Sequence, residues 1–76
     1  MSSVKQYPPV GFSERLYNAW VNSGLDLTEL SRRSGVARSS LYYYMYDGVS
    51  PNISVFARIC KVLKVSSDFI LFGKEA

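Results

Sequence analysis

The chain has no histidine and only one cysteine, Cys60. The first absence excludes His-based acid–base catalysis, and the two together exclude the usual Cys/His zinc sites. One cysteine cannot close an internal disulfide and fits a reducing compartment. No apolar run approaches the roughly 18 residues of a membrane helix, and the N-terminus lacks the basic-then-apolar order of a signal peptide. A soluble, cytoplasmic protein is therefore expected, with no membrane partner. No strand-like alternation, internal repeat or low-complexity tract breaks the pattern. No nucleophile–base pair or carboxylate constellation stands out either, so neither an enzyme, a cofactor nor a small-molecule ligand is expected. Charge of one sign is also scarce: nine Lys/Arg against six Asp/Glu give a net +3, which permits a polyanionic partner without demanding one.

What remains is one small domain, 47% apolar and 20% charged in 76 residues, near the size at which a single core becomes marginal. Residues 1–11 hold Pro8–Pro9 and a glycine and read as a flexible arm, because prolines cannot join a helix interior. From Phe12 the apolar residues Phe12, Leu16, Ala19 and Trp20 recur at helical spacing, and Asn22-Ser23-Gly24 ends that helix. Asp26 and Glu29 then form a capping box, with Asp26 accepting from the turn ahead and Glu29 reaching back. Gly35 stops this second helix after eight residues by supplying a left-handed turn. A third helix runs from Arg38 to Tyr46. Asn52 caps a fourth, Ile53 to Leu63, whose core stripe reads as Ile53, Phe56, Ala57, Cys60 and Leu63. Ser66 caps a fifth, through Leu71, and residues 74–76 form a tail. The fold class is thus all-α, a compact five-helix bundle.

Two short helices joined by a tight glycine turn make a helix-turn-helix, although many helical hairpins satisfy parts of that pattern. The flanks narrow the choice. The segment LDLTELSRRSGVARSSLYYYMYDGVSPNISVFARICKVLKVSSDFILFG resembles the Cro/cI-type phage repressors of the XRE family. Leu25, Leu30, Gly35, Val36, Ser39, Leu41, Pro51, Leu63, Val65, Ser66, Asp68 and Gly73 carry the likeness. The match runs without a gap from Phe12 to Gly73.

The resemblance implies a sequence-specific regulator of transcription whose second motif helix enters the DNA major groove. With residues set about 100° apart, Arg38, Ser39, Tyr42, Tyr43 and Tyr46 share an arc of roughly 140°. Leu41, Tyr44 and Met45 fall on the other side, toward the core. Arg38, Ser39, Tyr42 and Tyr43 are then the candidate base contacts. Arg38 is the principal reader, and Tyr43 takes a family site usually held by Gln, Arg or Lys. Thr28, Ser40, Tyr46 and Asn52 are candidate backbone contacts, with phosphates held at the starts of helices 2 and 4. The family often has a phosphate-binding Gln where this chain has Leu27, so Thr28 stands in. Arg32 and Arg33 read as a solvated face, while Lys5 and Gln6 of the arm are candidates for the DNA backbone or minor groove. Trp20 and Met45 occupy positions where relatives pair Arg with Glu, which implies an aromatic–thioether contact in place of an ion pair.

Val55, Ile59 and Val62 lie off the expected core stripe, and apolar residues crowd the C-terminus. Val55, Ile59 and Phe72 are therefore candidates for a dimer interface. The expected partners are an operator of double-stranded DNA, near-palindromic, and a second copy of the chain, as in a phage or prophage repressor. A restriction-modification controller or an antitoxin regulator shares the same features. The alternative of another class is a protein-interaction module that has lost DNA binding, which Leu27, the modest charge and the aromatic helix would favour.

Overall fold

A computed structural model describes residues 8–74. Five helices follow in order: α1 (Phe12–Ser23), α2 (Leu27–Ser34), α3 (Arg38–Tyr46), α4 (Ile53–Leu63) and α5 (Ser67–Phe72). No strand occurs among the described residues, and no helix there is long and apolar enough to cross a membrane. Lys5 and Gln6, expected to reach toward DNA, lie outside the described residues.

The helix ends follow from local chemistry. Asp26 accepts from the Glu29 amide at 2.7 Å, Asn52 from the Val55 amide at 2.8 Å and Ser66 from the Phe69 amide at 3.3 Å. Each bond satisfies one of the amides that a helix start leaves unpaired. The capping box at α2 forms only by half. Both Glu29 carboxylate oxygens are taken by Arg32 and Arg33, at 2.5 and 2.6 Å for the closest contacts, so Glu29 does not serve the Asp26 amide. Helical i,i+3 and i,i+4 partners win over the reach back to the cap.

The core joins all five helices: Phe12 and Leu16 from α1, Leu30 from α2, Leu41 and Met45 from α3, Ile59, Cys60 and Leu63 from α4, Ile70 from α5, and Val36 from the turn. Burial pushes the Cys60 thiol up to about 11, so it packs as a small apolar group and is no thiolate nucleophile at neutral pH. Met45 is buried as expected, while Trp20 lies partly buried against the core, its ring edge-on to Tyr17 at 5.8 Å.

Helix α4 corrects the expected stripe. Ile59 is wholly buried, whereas Ile53 is 88% exposed and Ala57 is also exposed. The buried positions are Ile59, Cys60 and Leu63, with Phe56 half-buried beside them. This i, i+3, i+4, i+7 register fits a helical period as well as the expected one did. Contacts of α4 with α2, α1 and α5 select it. Ile59 is thus a core residue and no part of a dimer interface. Val55 is half-buried, and Phe72 is 61% exposed.

The α2–α3 turn is held from both sides. Gly35 has φ +74°, with nothing near the place of an added Cβ, so glycine is required there for backbone conformation, not for space. The Ser31 hydroxyl donates to the Val36 carbonyl at 2.6 Å, and the buried Ser34 hydroxyl accepts from the Val36 amide at 3.3 Å. These bonds fix how α3 leaves α2.

Candidate nucleic-acid interface

Helix α3 starts without a side-chain cap, because Ala37 stands at its N-cap and has no acceptor to offer. The first residue of that helix, Arg38, is exposed and donates from Nη1 to the Thr28 hydroxyl at 3.1 Å. Thr28 lies in the first turn of α2, so the bond joins the starts of the two motif helices. Helical geometry leaves the Leu27 and Thr28 amides without intrahelical acceptors, and the same holds for Ile53 and Ser54 at the start of α4. Such amide pairs, with the positive end of the helix dipole, suit anionic oxygens.

Ser39 is exposed beside Arg38, and Ser40 is half-buried. Tyr42 and Tyr43 are each 48% exposed and Tyr46 is 51% exposed, while Leu41 and Met45 are buried and Tyr44 is half-buried. The tyrosine run is therefore divided by the helix between solvent and core. Ring centroids lie 6.0 Å apart for Tyr42–Tyr43 and 4.6 Å apart for Tyr42–Tyr46. Asn52 stands at the start of α4, its Oδ1 engaged by its own cap bond; its amide group keeps donors for another acceptor.

Two residues of α1 join this arrangement that the sequence did not suggest. The Ser13 hydroxyl donates to the Tyr44 carbonyl at 2.6 Å, tying α3 to α1. The Tyr17 ring meets Tyr46 edge-on, with centroids 5.4 Å apart. Only an aromatic lying off the core stripe of α1 hinted at it. Partial burial, then the neighbouring Tyr17 phenol, raises the Tyr46 hydroxyl above the usual tyrosine range; a phenol is neutral and able to donate at physiological pH with or without that shift.

Electrostatically the face is sparse. Arg32 and Arg33 are exposed but paired to Glu29, whose carboxyl is held down at about 2 by hydrogen bonds from Arg32 and then Arg33. A carboxyl lowered in the folded state stabilises above its ordinary value of 4.5, and that contribution is lost as pH falls through the folded value. The unfolding midpoint of the unaltered chain should therefore drop faster than that of Glu29→Gln between about pH 5 and pH 2. Parallel curves would show that the Arg32–Glu29–Arg33 cluster contributes nothing measurable. With these arginines paired, Arg38 is the cation at the head of α3.

A helix-turn-helix family model, HTH_3, matches residues 16–70. The chain belongs to this helix-turn-helix family, of XRE type. This membership points to a DNA-binding regulator and not to an enzyme. Among solved structures, the N-terminal DNA binding domain of SinR from Bacillus subtilis is similar, with a TM-score of 0.76 and 27% identity. The alignment covers 87% of this chain and 97% of that domain. No curated protein matches the chain. The helix-turn-helix unit of the family corresponds here to α2, the Gly35–Ala37 turn and α3, with Arg38 and the exposed tyrosines on its outer face.

Proposed function

We propose that this helix-turn-helix protein is a sequence-specific DNA-binding regulator of transcription, a repressor of phage or prophage type that reads a near-palindromic operator as a homodimer. The observation that carries the reading is Arg38, exposed at the start of α3 and oriented by Thr28. Ser39, Tyr42 and Tyr43 share its helix face and are the further base contacts. Thr28, Ser40, Tyr46 and Asn52 grip the backbone. The exposed Phe72, with Val55 beside the core and the bare Ile53, supports self-association through the α4–α5 end. A dimer would set its two α3 helices about one DNA turn apart, roughly 34 Å. It would repress by occupying the site that polymerase needs.

Selection of bound sites from a random DNA pool tests this directly. A two-fold related consensus is expected, bound by two chains. Affinity should fall between roughly 50 and 200 mM salt, by about threefold for each phosphate that a lysine or arginine neutralises. No enrichment, with salt-insensitive binding to a protein instead, would mean that the fold serves protein interaction. Asn52→Ala should weaken all DNA sequences about equally. It should also cost about 1 kcal/mol of folding stability through the lost cap. Urea unfolding and titrations on several unrelated sites measure the two effects separately, and an Asn52→Ala chain that changed sequence preference would make Asn52 a base reader instead.

A further inference from the structure

The exposed tyrosines of α3 are the end of a longer row. Tyr43 neighbours Tyr42, Tyr42 lies against Tyr46, Tyr46 meets Tyr17 of α1, and Tyr17 meets the partly buried Trp20, with successive centroids 6.0, 4.6, 5.4 and 5.8 Å apart. Edge-on and tilted rings at these separations attract beyond the area they bury. A lone phenol on a helix surface moves among rotamers, whereas Tyr46 is braced on one side by Tyr42 and on the other by Tyr17. The 2.6 Å bond from Ser13 to the Tyr44 carbonyl anchors the same part of α3 to α1. The bracing thus comes from a helix outside the motif.

An ordered row of phenols is a poor reader of the hydrogen-bond code. A hydroxyl both donates and accepts, so it separates guanine from adenine weakly. Its rings, however, form an apolar strip, and the apolar group that the major groove presents is the thymine C5-methyl. We propose that Tyr17 is a positioning residue that holds Tyr46, and through it Tyr42, in a fixed strip, and that the Tyr42 end of this strip selects thymine by its methyl group, with Tyr46 as the brace at the DNA backbone. The inference rests on α3 entering the major groove, as proposed above.

The test uses the operator found by selection, with each thymine replaced singly by deoxyuridine. That change removes the methyl and leaves the pairing and hydrogen-bonding edges intact. Each thymine under the Tyr42 end of the row should lose about fourfold in affinity, the worth of roughly one buried methyl. Tyr42→Ala identifies the thymine beneath that ring, because its uracil penalty alone should disappear. Tyr17→Leu should cut the penalty under Tyr42 to less than about twofold, while Tyr17→Phe, which keeps the ring, should retain it. If Tyr17→Leu does not fold, Tyr46→Leu breaks the row at an exposed position and should lower the penalty under Tyr42. An operator that binds tightly yet tolerates uracil everywhere overturns the thymine readout and leaves the regulator intact. Full penalties in Tyr17→Leu, or under Tyr42 in Tyr46→Leu, overturn the positioning role. A chain that binds no DNA sequence selectively overturns the proposed function, and this inference with it.

Discussion

Arg15→Met should lower folding stability by about 2–4 kcal/mol, the sum of two or three charge-assisted hydrogen bonds less what water recovers. Arg15 donates from Nε to the Ile70 carbonyl at 2.8 Å and from Nη2 to the Leu71 carbonyl at 2.7 Å. A further bond from Nη2 reaches the Val10 carbonyl at 3.0 Å. The acceptors on α5 belong to its last turn, where carbonyls have no intrahelical donor and the helix dipole favours a cation. Helix α5 has six residues, too few to be helical without tertiary contacts. Its attachment rests on Ile70 in the core, on the half-buried Leu71 packed beside it and on this guanidinium. The same group lies over Gly11 and Gly73, both at positive φ, where an added Cβ would meet it. Methionine keeps much of the apolar stem and removes the donors, so the loss reports the hydrogen bonds. In a domain of this size the midpoint should fall by about 10–25 °C. Arg15→Lys, with one compact charge in place of the fork, should recover only part of this. A loss below about 0.5 kcal/mol in urea unfolding would show that the apolar packing of Ile70 and Leu71 holds α5 in place without the guanidinium.

Arg15 also marks where sequence reasoning ends. Its partners are backbone carbonyls 55 and 56 residues away, and a carbonyl belongs to every residue, so no pattern of side chains reveals them. The helices themselves were legible because caps and stops act locally: Asp26, Gly35, Asn52 and Ser66 mark ends that the structure retains. The division of the tyrosine run was legible for the same reason, since helix periodicity alone separates Tyr42, Tyr43 and Tyr46 from Leu41 and Met45. Helix α4 was not, because two apolar registers fit its sequence. Only packing against three neighbouring helices buries Ile59 and leaves Ile53 bare. Glu29 had two local uses, the cap and the arginines, and propensity does not rank them. Tyr17 escaped notice because its partner, Tyr46, lies on another helix.

Arg38→Ala should erase the preference at one operator position in each half-site and cost about 1–3 kcal/mol on the preferred base in each, roughly five- to 150-fold in affinity per half-site. The bond to Thr28 uses Nη1, which leaves the Nε–Nη2 edge of the guanidinium as a pair of parallel donors. That edge matches guanine O6 and N7, whereas adenine presents a donor in place of O6. Thr28 therefore fixes the fork in advance and reduces the rotamer freedom lost on binding. Arg38→Lys retains the charge without the fork. It should keep most of the affinity for unrelated DNA and lose the base preference nearly as fully as alanine does. Thr28→Val, which removes the hydroxyl at similar volume, should weaken all duplexes slightly through the lost phosphate contact and reduce the preference at the same position less than Arg38→Ala does, because Arg38 is freed and not removed. Competition among duplexes carrying each of the four bases at every position separates these outcomes. If Arg38→Ala weakens all duplexes by one common factor, Arg38 holds phosphate, and sequence reading falls to Ser39 and the tyrosine row.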